Sequence, residues 1–201
     1  MSGPANHLVI FLKVPRLGTV KTRLARDIGH VRACSFYRTL SRTMLNRLGR
    51  DRRWQRWIAV TPDFEAWPKP LYTGLWHTIH QGTGDLGARM NRVMNALPPG
   101  PAVIIGSDIP TITPRHIAQA FKRLGSDDAV FGPATDGGYW LVGLKRRPTV
   151  PSIFRNVRWS SETALADTLA NLKHGQRIAL LEELEDVDDG YGYRRWLDKR
   201  G

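Results

Sequence analysis

The chain has 201 residues, 30 Lys and Arg against 18 Asp and Glu, a net charge of +12 and 41% hydrophobic residues. Its one cysteine, Cys34, excludes an internal disulfide, and no apolar run is long enough to cross a bilayer. What remains is an ordinary folded composition, read as one domain over residues 1–201 with a core large enough to need no staple.

The N-terminus MSGPANHLVIFLKV lacks a basic start, a long apolar segment and a cleavage site, so a cytoplasmic protein is expected. Cys34 lies on an apolar helical stripe and reads as a buried, inert thiol. The positive charge raises nucleic acid as a partner. However, the arginines are scattered from Arg16 to Arg200, and aromatic RNA-binding and zinc-finger signatures are absent. No specific nucleic acid is expected; a basic cleft for an anionic small ligand explains the charge equally well.

In chain order, His7 to Lys13 reads as a first buried strand, followed by a loop with Pro15 and Gly18. Lys21-Thr22-Arg23 then enters a helix. Two cations there oppose the helix dipole by about 0.3–1 kcal/mol each unless something compensates. A bound phosphate would reverse that sign; a solvated basic surface is the alternative. Gly29 should interrupt the helix, which resumes to about Leu48 with Ala33, Tyr37, Leu40, Met44 and Leu48 on one core-facing stripe. A second strand is expected over Trp54 to Val60, a loop over residues 64–74 and a third strand from Leu75 to Gln81.

Next comes Gly82-Thr83-Gly84-Asp85-Leu86-Gly87, with a helix expected over Ala88 to Leu97. This matches G-x-G-x-x-G between a strand and a helix, the dinucleotide fingerprint. That fingerprint normally opens the first βαβ unit, whereas here a complete strand-helix-strand precedes it. The same glycines also permit a tight turn with no ligand.

Ala102 to Pro114, AVIIGSDIPTITP, is an apolar strand ending in Gly106-Ser107-Asp108. Open α/β sheets bind ligands at the carboxyl ends of their strands. Thr113-Pro114 already supplies the start of the next helix, to Leu124, so Asp108 is left to pair with an Arg or to hold a hard divalent cation against phosphates. Ala129 to Ala134 and Tyr139 to Leu144 read as a hairpin around Asp136-Gly137-Gly138, where Asp136 can be a turn former alone. The connection Pro148 to Trp159, a helix from Ser161 to Lys173, a strand from Gln176 to Leu184 and a helix from Tyr191 to Lys199 complete the chain. Asp186 and Asp188, in the late acidic run, are candidates to close a metal site. Strands alternating with helices imply an α/β fold on an open, largely parallel sheet.

FLKVPRLGTVKTRLA, QGTGDLGARM, VIIGSDIPTIT, VFGPATDGGYWLVGL and IFRNVRWSSETALADTLANL, in that order, resemble the motifs of a bacterial family of small transferases. These are the selenodomain-associated or arsenosugar-biosynthesis glycosyltransferases, of the nucleotide-diphospho-sugar transferase superfamily. The resemblance covers about residues 7 to 189. It implies a GT-A-like (Rossmann-like) three-layer α/β/α sandwich on a mostly parallel mixed sheet. It also implies a nucleotide with its phosphates near Lys13, Lys21 and Arg23. Gln81, Gly82, Thr83 and Gly84 would contact the base, Asp108 and Asp188 would hold Mg²⁺ or Mn²⁺, and Asp136 would act catalytically with Asp108, facing the acceptor or the sugar.

The expected activity is transfer from a nucleotide sugar to a small acceptor. The alternatives are a nucleotidylyltransferase joining an NTP to a phosphorylated small molecule, a basic nucleic-acid-binding protein with a decayed site, and a dinucleotide-binding Rossmann protein. Gly18 alone stands where pyrophosphorylases have a Gly-rich first loop, and Asp186-Val187-Asp188-Asp189-Gly190 replaces the family's D-V-D-T-P.

Overall fold

The computed structural model describes residues 5–63, 76–147 and 149–198. The loop expected over residues 64–74, Leu75, Pro148 and Lys199 lie outside the described residues. In β1 (His7–Lys13), Leu8, Ile10 and Leu12 point into one apolar layer and Val9 into the other, all four buried. A strand apolar on both faces has to lie inside a sheet covered on both sides. Truncating such a side chain to Ala costs about 2–5 kcal/mol. An exposed ion pair contributes about 0–1 kcal/mol, so the two apolar layers, and not the many surface charges, hold the fold.

After β1 come α1 (Thr22–Ile28), α2 (His30–Gly49), β2 (Gln55–Thr61), β3 (His77–His80), α3 (Leu86–Ala96), β4 (Ala102–Ile105) and α4 (Pro114–Leu124). The chain continues through β5 (Ala129–Pro133), β6 (Tyr139–Leu144), α5 (Ala164–Ala170), β7 (Ile178–Leu180) and α6 (Gly190–Asp198). The sheet runs β3-β2-β1-β4-β6-β5-β7. β6 is antiparallel to both β4 and β5, and every other neighbouring pair is parallel. The expected hairpin is therefore present, and it makes the sheet mixed. Residues of α2 and α4 cover one face, and residues of α3 with the 153–154 segment cover the other. Among the described residues, no helix is long and apolar enough to cross a membrane.

Gly29, at φ 84°, separates α1 from α2. Those two helices and α6 form a third apolar cluster in which Phe36 meets the rings of Tyr193 and Trp196 edge-on, at 5.1 and 5.0 Å. Two helices differ from expectation at their starts by more than one residue. Asp85 caps α3 through Ala88 N–H (2.7 Å), so that helix begins at Leu86. Ser160 stands at φ 60° and Ser161 Oγ donates to the Arg158 carbonyl, so α5 opens only at Ala164. The last strand is confined to three residues, with one isolated bridge beyond it between Ala134 and Leu184.

The chain leaves β1 toward β2 on one side and reaches β4 on the other. The point at which strand order reverses therefore lies between β1 and β4. There, helices leave opposite faces and a crevice opens at the strand ends. Lys13 ends β1 and Gly106-Ser107-Asp108 follows β4, so both loops meet at that crevice. The G-x-G-x-x-G turn follows β3, the edge strand, instead. Its glycines are explained locally: a Cβ on Gly82 would strike the Arg92 guanidinium, and Gly84 has φ 101°. The dinucleotide reading fails on that position in the sheet.

Candidate functional site

The loop after β1 brings its cations to the crevice in different ways. Lys21 adopts the left-handed conformation (φ 48°, ψ 47°) as the N-cap of α1. This turns its side chain inward, to 3% exposure. Its Nζ lies 2.6 Å from Asp108 Oδ1 and 2.9 Å from Asp188 Oδ1. Burial works against the ammonium, but the two carboxylates outweigh it and hold its pKa above the ordinary lysine value. Arg23, one helical residue further on, remains 70% exposed, with Nη1 3.6 Å from Asp188 Oδ2. Lys13 is exposed at the mouth.

Asp188 arrives from the far end of the chain. Val187, between Asp186 and Asp188, is buried against the α1–α2–α6 cluster, and its N–H donates to the Asp108 carbonyl at 3.2 Å. Gly190 N–H is held by Asp27 Oδ2 at 2.7 Å. One buried apolar side chain and two backbone hydrogen bonds thus set the late acidic segment beside the end of β4.

Two cavities open from this junction and share Phe11, Leu86, Ser107, Asp108 and Asp188 in their walls. The first, of about 440 Å³, is lined by Lys13, Lys21 and Arg23 and reaches Gln81. In its floor, Lys13 N–H donates to Tyr37 Oη (2.9 Å), which lies 3.2 Å from Ser107 Oγ. Burial, then the nearby Asp108 charge, raises the Tyr37 pKa. The sequence placed Tyr37 on a core stripe, which it is; only the fold shows that its hydroxyl joins the two loops.

Gln81 is buried, and its Nε2 donates to the Leu12 and Ala59 carbonyls at 3.2 and 2.6 Å. Its amide nitrogen is thereby committed to the backbone of β1 and β2. Asp63, which the sequence did not single out, accepts from the N–H groups of Gln81 and Gly82 and sets that turn. Of the Gln81–Gly84 quartet, Gln81 alone lines the cavity, while Thr83 and Gly84 are exposed beyond it.

The second cavity, of about 360 Å³, carries Asp136, Asp186, Tyr139, Trp159, Ser160 and Ser161, and among the described residues its walls contain no Lys, Arg or His. Asp136 Oδ1 accepts from Gly138 N–H at 2.9 Å, so this residue both forms the hairpin turn and lines the cavity. Burial, followed by the charges of Asp188 and Asp136, pushes the Asp186 carboxyl up to about 6.

Among the described residues, no three His, Cys, Asp or Glu side chains gather as a metal cage. Yet Asp108 and Asp188 already direct one oxygen each onto a single cationic nitrogen, with carboxylates 48% and 41% exposed. Two such oxygens fit a hard divalent ion whose remaining positions are filled by phosphate oxygens and water, the habit of Mg²⁺.

The family described as "Uncharacterized protein conserved in bacteria (DUF2064)" matches residues 44–161, more than half of the chain. The chain belongs to this family. The DUF2064 match takes in the turn at Gln81, Asp108 and Asp136, and leaves Lys21 and Asp188 on either side of it. No curated protein matches the chain.

Among solved structures, a protein from Desulfovibrio desulfuricans G20 assigned as a nucleotide-diphospho-sugar transferase is similar over 97% of this chain and 87% of that one, at 27% identity and a TM-score of 0.87. The 4-diphosphocytidyl-2C-methyl-D-erythritol synthase of Anaerococcus prevotii DSM 20548 is similar over 96% of this chain and 99% of that one, at 8% identity and a TM-score of 0.62. A mannosyltransferase of Pyrobaculum calidifontis, in complex with GDP-mannose and Mn²⁺, is similar over 98% of this chain and 61% of that one, at 12% identity and a TM-score of 0.50. The fold is that of the nucleotide-diphospho-sugar transferases. At such low identities, the last two likenesses concern the fold alone.

Proposed function

We propose that this DUF2064 chain is a metal-assisted glycosyltransferase that takes a sugar from a nucleotide sugar and passes it to a small hydroxyl-bearing acceptor without a phosphate. The observation that carries this reading is the pair of cavities of opposite charge meeting at Asp108 and Asp188. The basic cavity suits the donor: Lys13 and Arg23 face its diphosphate, and the turn at Gln81, Gly82, Thr83 and Gly84 borders the base. Asp108 and Asp188 would hold a Mg²⁺ or Mn²⁺ at the junction, which would supply positive charge to the leaving diphosphate.

The second cavity suits the acceptor. Asp136 and Asp186 accept hydrogen bonds from its hydroxyls, and Asp136 is placed to take the proton from the attacking one. Tyr139 and Trp159 supply aromatic walls. Positioning two substrates against each other in this way provides much of the catalysis, because the protein itself forms no covalent bond. Support comes from the likeness to the Desulfovibrio protein, and the ordered motifs resembling the selenodomain-associated glycosyltransferases agree with it.

Nucleotidyl transfer is the second reading, favoured by the fold likeness to the erythritol nucleotidyltransferase. In the form expected from the sequence it joins an NTP to a phosphorylated small molecule, and the described charged groups of the acceptor cavity, all carboxylates, repel such an anion. A thermal-shift screen of UDP-, GDP-, ADP- and CDP-sugars and of free NTPs, with and without Mn²⁺, tests both. A donor that binds only the native state raises the melting midpoint by mass action. Glycosyl transfer predicts a metal-dependent shift with one nucleotide sugar, lost in Asp108→Ala, and release of nucleoside diphosphate on turnover. Pyrophosphate release would identify nucleotidyl transfer. Steeply salt-dependent RNA binding, unaffected by Asp108→Ala and with no nucleotide shift, would return the protein to the nucleic-acid class.

A further inference from the structure

The two oxygens proposed to hold the metal are already shared by a cation. Lys21 Nζ lies 2.6 Å from Asp108 Oδ1 and 2.9 Å from Asp188 Oδ1, hydrogen-bonded to the latter. The arrangement is built in. The lysine backbone takes a left-handed conformation that side-chain-bearing residues seldom adopt, and this swings the side chain inward. Arg23, in the first turn of α1, stays in solvent. The lysine side chain is buried to 3% exposure, while the side chains of Asp108 and Asp188 are 48% and 41% exposed and line both cavities. A strap serving only to fasten the loop would bury its acidic partners with it. Here the anionic oxygens stay accessible and the lysine alone is hidden.

A dication on the same oxygen pair would stand within contact range of the ammonium, and at such separations like charges in a partly buried site repel strongly. The carboxylates cannot bind both at full strength. The donor, however, brings an anion of its own. Lys21 lines the basic cavity together with Lys13 and Arg23, and its flexible stem allows the ammonium to move.

We propose that Lys21 is a resident cation that occupies the metal position of the free protein and exchanges partners on substrate binding, leaving Asp108 and Asp188 for the diphosphate as the divalent ion takes its place. The inference rests on the metal-dependent transferase reading and adds an order to it. The free protein binds metal weakly, and diphosphate and metal enter together. A nucleotide-free site is thereby kept closed to stray divalent ions while its carboxylates remain neutralised.

The test measures protein-bound Mn²⁺, as free Mn²⁺ by electron paramagnetic resonance against protein-free controls at the same pyrophosphate concentration, on wild type, Lys21→Met and Lys21→Gly, with and without inorganic pyrophosphate as a base-independent stand-in for the donor diphosphate. Lys21→Gly suits the left-handed backbone and so guards against a folding defect in Lys21→Met, with circular dichroism as the check. Asp108→Ala is run alongside. The expected result is that both lysine variants bind Mn²⁺ at least tenfold more tightly than wild type when no pyrophosphate is present. The mutual tightening between Mn²⁺ and pyrophosphate, large in wild type, should shrink at least tenfold in them.

Unchanged or weaker Mn²⁺ binding in folded lysine variants overturns the competition. Tighter Mn²⁺ binding with undiminished coupling overturns the exchange of partners. In both cases, loss of pyrophosphate-dependent Mn²⁺ binding in Asp108→Ala would leave the metal-site reading standing. No Mn²⁺ binding by any variant, with or without pyrophosphate, removes that reading and this inference together.

Discussion

Gly87 makes room for Trp159: a Cβ on Gly87 would stand 2.6 Å from Trp159 Cζ2 and 2.5 Å from the Phe154 carbonyl oxygen. The third glycine of the G-x-G-x-x-G stretch thus seats the 154–159 segment against α3, and that segment carries one wall of the acidic cavity. Gly87→Ala is expected to destabilise the fold by about 1–3 kcal/mol through overpacking. Urea denaturation measures it; an unchanged midpoint would mean that the segment is not held against the helix.

Arg23→Ala separates binding from stability. An arginine this exposed contributes little to the fold, and its change should leave stability within about 0.5 kcal/mol. If it meets the donor's diphosphate through a charge-assisted hydrogen bond, nucleotide-sugar affinity falls by about 1.5–3 kcal/mol. Calorimetric titration reads the affinity, and no loss would leave Arg23 as surface charge only.

Gln81→Met tests what the buried amide does. Its nitrogen satisfies the Leu12 and Ala59 carbonyls, so removing it should cost about 1–3 kcal/mol of stability. Full stability with a selective loss of nucleotide binding would point to a role toward the base instead.

Asp167 gives an acid-side signature. Its oxygens accept from Arg158 Nε (2.9 Å), Nη2 (2.8 Å) and backbone N–H (3.0 Å), and these hydrogen bonds hold its carboxyl down to about 2. The unfolded value is about 3.9, so the stabilisation is present above about pH 4 and is lost as pH falls toward the folded value. The stability gap between wild type and Asp167→Asn should be flat from pH 5 to 7 and close between about pH 4 and pH 2. A gap that persists at the acid end would assign the effect to packing.

The elements with strong local signals were legible in the chain. β1 begins and ends at His7 and Lys13, and α4 at Pro114 and Leu124, because continuous apolar residues or a Thr-Pro start define them without help from the rest of the protein. Asp108 was legible as an unspent carboxylate for the same reason: Thr113, whose N–H meets His116 Nδ1 at 3.2 Å, already occupies the N-cap of α4. What was not legible depends on distant partners. Lys21 reads as a phosphate-facing cation at a helix start, and only the fold shows its left-handed backbone and its contact with two carboxylates, one of them 167 residues away. Gln81 reads as a ligand contact until β1 and β2 claim its amide, and Asp63 carries no pattern of its own. The expected helix start at Ser161 gives way to a turn, with Ser160 at φ 60°, that only the 158–163 backbone shows.

Asp108 is made at the middle of the chain, and the groups that complete its surroundings are made near the end. Among the described residues the last strand of the sheet ends at Leu180, before Val187 can insert into the α1–α2–α6 cluster and deliver Asp188. During synthesis, a ribosome-bound chain with β1 to β7 paired would still lack one of the two carboxylates at the junction. Acquisition of the proposed activity would then report docking of the last helix rather than formation of the sheet. Damage to the Phe36, Tyr193 and Trp196 contacts could silence the site from a distance while the core remained folded.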